Sequence, residues 1–107
     1  MVKAMFVVHR NPSMDHEEFK RYWRDVHAPI AAKIPGLRKY VINPAIPGTS
    51  GEGGAPFDGV AELYFDSFEA YQTAFADPQG VATMEDAAIF LSLDRVRAIV
   101  AEEISIL

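Results

Sequence analysis

One histidine stands at the end of an aromatic helical stripe, in the spacing Trp23-x-x-x-His27-x-Pro29. A tyrosine, Tyr40, follows a Pro35-Gly36 turn shortly afterwards. An imidazole with a pKa near 6.5 exchanges protons at neutral pH, so His27 is the leading candidate for a general acid or base. The competing assignment is a boundary histidine bonded to a backbone carbonyl that Pro29 leaves without its helical donor. Tyr40 carries a phenol that can donate to a carbonyl or phenolate oxygen of a ligand; alternatively it is a core aromatic with an internally satisfied hydroxyl. Glu62, inside the apolar run Val60-Ala61-Glu62-Leu63-Tyr64-Phe65, faces water, pairs with a cation such as Arg38, or lies in a pocket and orients a histidine. His9 closes the first apolar run, either as a surface histidine or at a pocket's edge. Trp23 and Met5 or Phe6 are candidates for a pocket wall. His16, among Asp15, Glu17 and Glu18, reads as solvent-facing.

Other chemistries are set aside. The three histidines lack metal-ligand spacing and no cysteine is present, so no metal site and no thiol chemistry are expected. Gly48, Gly51, Gly53 and Gly54 do not lead from a strand into a helix and bring no phosphate-loop lysine. No serine has nucleophile-elbow context. A formal net charge of −5 argues against a nucleic-acid partner. No apolar run approaches the roughly 20 residues that span a bilayer. The start of the chain has neither the length nor the cleavage site of a signal peptide; with no cysteine, this leads to the expectation of a cytoplasmic protein.

The elements that must position these groups are legible. At 107 residues, half of them hydrophobic, a single domain is expected over 1–107. Residues 2–9 alternate as a strand with two largely apolar faces. Asp15 and Glu18 form a capping box for a helix whose stripe is Phe19, Trp23, Val26, Ile30 and Ile34, with a kink or restart expected near residue 28 and Pro29 opening a short second segment. Strands are expected over 37–43 and 58–65, joined by an irregular, mobile loop rich in glycine and proline. Asp66 and Glu69 suggest a second capping box, for a helix with apolar face Phe68, Tyr71 and Phe75. A further helix over 79–91 and a last strand over 96–107 complete the chain. The order β-α-β-β-α-β is the split βαβ arrangement of ferredoxin-like folds: α+β, with a four-stranded antiparallel sheet. Helices on one face leave the other sheet face apolar, which two copies packed face to face would cover.

The stretch Phe19-Lys20-Arg21-Tyr22-Trp23-Arg24-Asp25-Val26-His27-Ala28-Pro29, with Pro35-Gly36-Leu37-Arg38-Lys39-Tyr40, resembles the EthD-like family of the dimeric α+β barrel superfamily. The resemblance implies a homodimeric barrel in which His27 lines the pocket and Tyr40 follows the Pro-Gly turn. Its founding member is associated with bacterial ether degradation beside a cytochrome P450 system. Similar barrels include lactone isomerases and polyketide cyclases that use cofactor-free acid–base chemistry, and more distant ones include monooxygenases and haem-degrading enzymes. Some isomerase-like members carry a second histidine in the loop that is here Gly48 to Phe57, and this chain has none. The expected function is therefore binding of, or action on, a small hydrophobic cyclic or ether-type oxygenated metabolite without a cofactor. His27 would move a proton, Tyr40 polarise an oxygen and Glu62 orient or assist, with Trp23, Met5, Phe6 and His9 around the substrate. The alternatives are a non-catalytic accessory protein of an oxygenase system, or a monooxygenase or haem-binding barrel.

Overall fold

A computed structural model describes residues 1–49 and 57–107; most of the glycine-rich loop, expected to be mobile, lies outside the described residues. The strands are β1 (Val2–Val8), β2 (Lys39–Pro44), β3 (Gly59–Phe65) and β4 (Arg97–Glu102). They form one antiparallel sheet in the order β2-β3-β1-β4. The helices are α1 (His16–Tyr22), α2 (Ala28–Ala31), α3 (Phe68–Ala76) and α4 (Pro78–Phe90), with a 3₁₀ turn at Leu93–Arg95. This is the expected α+β, ferredoxin-like architecture.

Strand register decides what each face carries, since residues directly opposite in an antiparallel pair share a face. Ala4, Phe6 and Val8 lie opposite Leu63, Ala61 and Gly59. That face meets Phe19, Trp23, Ala31, Ile34, Ala74, Ala87 and Phe90 from the helices in one core. Phe19, Trp23, Phe65 and Phe90 are its largest fully buried side chains. Truncating any one would cost about 3–5 kcal/mol. The outer face carries Lys3, Met5 and Val7, opposite Tyr64, Glu62 and Val60 on one side and Ala101, Ile99 and Arg97 on the other.

The first helix starts where the capping residues place it, with Asp15 accepting from the Glu18 N–H at 2.8 Å. Its continuation meets the expected restart: the short α2 opens at Ala28 with Pro29 in its first turn. The turn before it was not expected: the chain widens into a π-helical turn over Trp23–His27, Ala28 stays helical (φ −57°, ψ −42°), and the Ala28 N–H bonds to the Trp23 carbonyl, five residues back. In an α-helix the Pro29 ring would clash with the carbonyl of Asp25, and the wider turn relieves that contact without breaking the helix. The extra residue also shifts the angular phase. Val26, expected on the buried stripe, is 44% exposed, while His27 is carried inward and is only 7% exposed.

Two further local expectations are corrected. The α3 cap is Ser67, accepting from the Ala70 N–H, because Asp66 is engaged by Arg38 at 2.8 Å. Phe68 is half-exposed, and Tyr71, Ala74 and Phe75 make the contact with the core. At the turn before β2, Gly36 adopts φ +81°, a left-handed conformation that suits glycine. No helix among the described residues is long and apolar enough to cross a membrane.

Candidate functional site

A narrow cavity of about 50 Å³ lies between the sheet and the helices. Its origin is a packing deficit. Ala31 of α2, Ala61 of β3 and Ala87 of α4 all line it, and their short side chains leave space that larger ones would close. Phe6, Trp23, Leu63 and Phe90 supply apolar wall; His27, Tyr40 and Thr83 also line it, and the surface they leave is almost wholly apolar. The Thr83 hydroxyl donates back to the Gln79 carbonyl at 2.8 Å. Met84 and Leu93 line the cavity while remaining about 40% exposed, at 39% and 41%, which puts the mouth between α4 and the 3₁₀ turn.

The π turn delivers His27 to this wall, where its ring packs 4.7 Å from that of Phe90. His27 Nδ1 lies 2.8 Å from Asp86 Oδ2 on α4. The other oxygen of Asp86 accepts a hydrogen bond from the Tyr22 hydroxyl, also at 2.8 Å. A carboxylate beside Nδ1 favours the tautomer with the proton on that nitrogen, which leaves Nε2 as a lone-pair acceptor. Burial lowers the His27 pKa below its usual value, against the raising effects of the Asp86 hydrogen bond and charge. The imidazole is thus neutral at pH 7. Burial pushes the Tyr40 phenol up to about 12, with a smaller opposing effect from hydrogen bonding to Trp23. Tyr22 is also pushed up to about 12, first by burial and then by Asp86. Both phenols remain protonated donors at neutral pH. The arrangement can take a proton at His27, stabilise the resulting imidazolium through Asp86, and polarise an oxygen at Tyr40.

Of the residues singled out from the sequence, His27, Tyr40, Trp23 and Phe6 all line this cavity. Trp23 is fixed by close approach: a Cβ at Gly59 would fall 2.6 Å from its ring carbon Cζ3, so only glycine lets the indole lie there. Met5 does not belong with them. It stands opposite Glu62 and Ile99 on the outer sheet face. Glu62 is likewise misplaced as a partner for the histidine, because strand alternation turns it away from the helices. There it lies 3.5 Å from Lys3, not from Arg38, which holds Asp66. His9 follows β1 and is not among the lining residues; its carbonyl accepts from the Ser92 N–H at 2.9 Å. The competing assignment, a bond between His27 and a carbonyl left without its donor, is not what the structure shows for Nδ1, which lies beside Asp86.

Asp86 and Tyr22 are the polar groups that sequence reasoning did not assign. A signal existed for Asp86: Thr83, Ala87 and Phe90 mark the buried face of α4, and Asp86 sits beside them at helical spacing. A carboxylate at the edge of a buried stripe calls for a donor. Among the described residues no cluster of three or more His, Cys, Asp or Glu could hold a metal ion.

A family model, the EthD domain, matches residues 11–94. No curated protein matches the chain significantly. Among solved structures, an ethyl tert-butyl ether D (EthD) family protein of Bacillus halodurans is 28% identical, with a TM-score of 0.77 over 97% of this chain and 100% of that one. A DABB family protein of Mesorhizobium loti with a ferredoxin-like fold is 18% identical (TM-score 0.70, 97% of both chains). A dimeric ferredoxin-like protein of unknown function from Bacteroides fragilis is 14% identical (TM-score 0.69, 95% of both). The last two likenesses speak to the fold.

Proposed function

The chain belongs to the EthD family, and we propose that its cavity takes a small hydrophobic, cyclic or aromatic, oxygenated molecule and moves a proton on it. His27 Nε2 removes a proton from a C–H or O–H of the ligand. Asp86 holds the imidazole and stabilises its cationic form. Tyr40 donates a hydrogen bond to the oxygen on which charge develops. The imidazolium then returns its proton to another atom of the ligand, so the cycle closes without a cofactor. Trp23 and Phe6 serve as wall. The observation that carries this reading is the hydrogen-bonded Asp86–His27 pair at the wall of an apolar cavity. Apolar walls with few convergent polar groups suit such ligands.

The working form proposed is a homodimer joined through the outer sheet face. Met5, Val7, Val41, Val60 and Ile99 share that face, and Ile99 is 62% exposed. The Bacteroides fragilis protein of similar fold is described as dimeric. Light scattering should give twice the chain mass, and a stable monomer at micromolar concentration would remove this part of the proposal.

The chemistry is tested by deuterium uptake. Acetophenone and cyclohexanone in D₂O, followed by NMR, should exchange the protons beside their carbonyl faster with the protein than in buffer. His27→Ala should remove the acceleration, by about 10²–10⁴-fold for a lost general base. Binding without acceleration in the native protein would make it a carrier and end the catalytic reading.

A further inference from the structure

Resting on the ligand-binding reading of this cavity, the next question is which ligands it refuses. Its lining includes no lysine, arginine, aspartate or glutamate among the described residues. Several cations of the chain are held elsewhere. Lys3 reaches Glu62 and Glu103 on the outer face, Arg10 lies against Asp58, Arg24 against Asp25 and Arg38 against Asp66. The charge bonded directly to the lining residue His27 is negative, the Asp86 carboxylate, whose side chain is 12% exposed. When His27 is protonated, the His27–Asp86 pair is neutral as a unit, so the cavity still offers an anion no net positive charge. Tyr40 and Tyr22 are neutral donors. A carboxylate or phosphate entering this space would give up its water without a cation to replace it, and would approach Asp86.

We infer that the cavity selects by charge: it admits an uncharged ring that offers a donor to His27 and an acceptor to Tyr40, and rejects the same ring bearing a carboxylate or phosphate. Neutral phenols, cyclic ketones and amides are the class that fits, entering past Met84 and Leu93. Asp86 is then a specificity determinant as well as the positioning residue for His27.

Benzamide and benzoate are nearly the same shape and differ by the charge. Trp23 is the single tryptophan of the chain and lines the cavity, so its fluorescence reports occupancy. Titrated at pH 7.5, benzamide should quench or shift that emission with saturation, and benzoate should bind weaker by about 100-fold or more. Asp86→Asn removes the negative charge and should narrow that ratio at least about fivefold, by strengthening benzoate. Should the variant fold poorly, benzyl alcohol and benzyl phosphate on the native protein repeat the comparison, with the same expected ordering. Equal affinity for the neutral and anionic partners overturns the charge filter while leaving the cavity as a binding site. Saturable benzamide binding with no deuterium exchange on any ketone ends the catalytic proposal and leaves the filter standing. Quenching by neither compound overturns the filter together with the ligand-binding reading.

Discussion

Replacing Asp86 with asparagine changes one oxygen for one NH₂ at nearly constant volume, and the structure says what that does. In the native protein the two carboxylate oxygens accept from His27 Nδ1 and from the Tyr22 hydroxyl, each at 2.8 Å. Asparagine offers one acceptor and one donor group. If its carbonyl turns to Tyr22, its NH₂ faces Nδ1, which must then accept. The imidazole proton moves to Nε2, and the remaining ring nitrogen can no longer act as a base. If the carbonyl turns to His27, the tautomer survives but the negative charge that stabilises the imidazolium is gone. Charged hydrogen bonds contribute about 1.5–3 kcal/mol each, and asparagine keeps part of both, so a stability loss of about 2 kcal/mol is expected. The side chains are only 9% and 12% exposed, so little solvent screening softens this loss. Proton transfer should fall by about 10²–10⁴-fold.

The same substitution shifts the pH profile in a stated direction. Asp86 supplies both effects that raise the His27 pKa, and burial lowers it. Without the carboxylate, burial acts unopposed, and the acid limb of any residual exchange rate moves to lower pH. Nitrogen-15 shifts of labelled imidazole would read the tautomer directly, beside exchange rates from pH 5 to 8 and urea unfolding. A variant that keeps the native rate, tautomer and acid limb would refute the role given to Asp86.

Gly59→Ala would place a Cβ 2.6 Å from Trp23 Cζ3 and 2.7 Å from the Asn43 carbonyl oxygen; a loss of about 1–3 kcal/mol in chemical unfolding is expected, with altered Trp23 emission. Ala87→Leu should fill the cavity from α4, leaving circular dichroism unchanged while abolishing benzamide binding. His27 is lowered in the folded state from its ordinary 6.5, so the unfolded chain takes up the proton first on acidification. Its contribution to stability is therefore complete above pH 6.5 and is lost as pH falls toward the native pKa. Urea unfolding across pH 4.5–8 should show this limb, and His27→Gln should flatten it. Ile99→Lys, on the outer sheet face, should shift the mass in light scattering toward a monomer while His27 and its cavity stay intact.

The parts of this molecule that sequence made legible are those governed by period and punctuation. Strand alternation, the Asp15 cap and the Pro35-Gly36 turn are local rules, and the sheet order follows from them through the known topology of such folds. The site was legible only along the single segment that contains it. His27 and Tyr40 are near neighbours in sequence, so reasoning about Trp23, Pro29 and the next strand brought them to one cavity. The carboxylate partner lies 59 residues from the histidine, and only the packing of α4 against the first helix unites them. In sequence Glu62 stands out instead, because a carboxylate within an apolar strand is conspicuous, yet alternation turns it outward to Lys3. The restart at residue 28 was legible, but the π turn before it was not. A proline in a helical stripe reads as a break, but its clash with a carbonyl four residues earlier can also be relieved by widening the turn. That choice rotates Val26 out and His27 in, so the residue that disturbs the helix is also the one that aims its histidine. Pro29→Ala should therefore do more than stabilise the helix. By permitting a regular α-turn it would return His27 toward the edge of the stripe, lengthen its contact with Asp86 and weaken proton transfer, which deuterium exchange and nitrogen-15 shifts of His27 would read; native values for both would overturn the role given to Pro29.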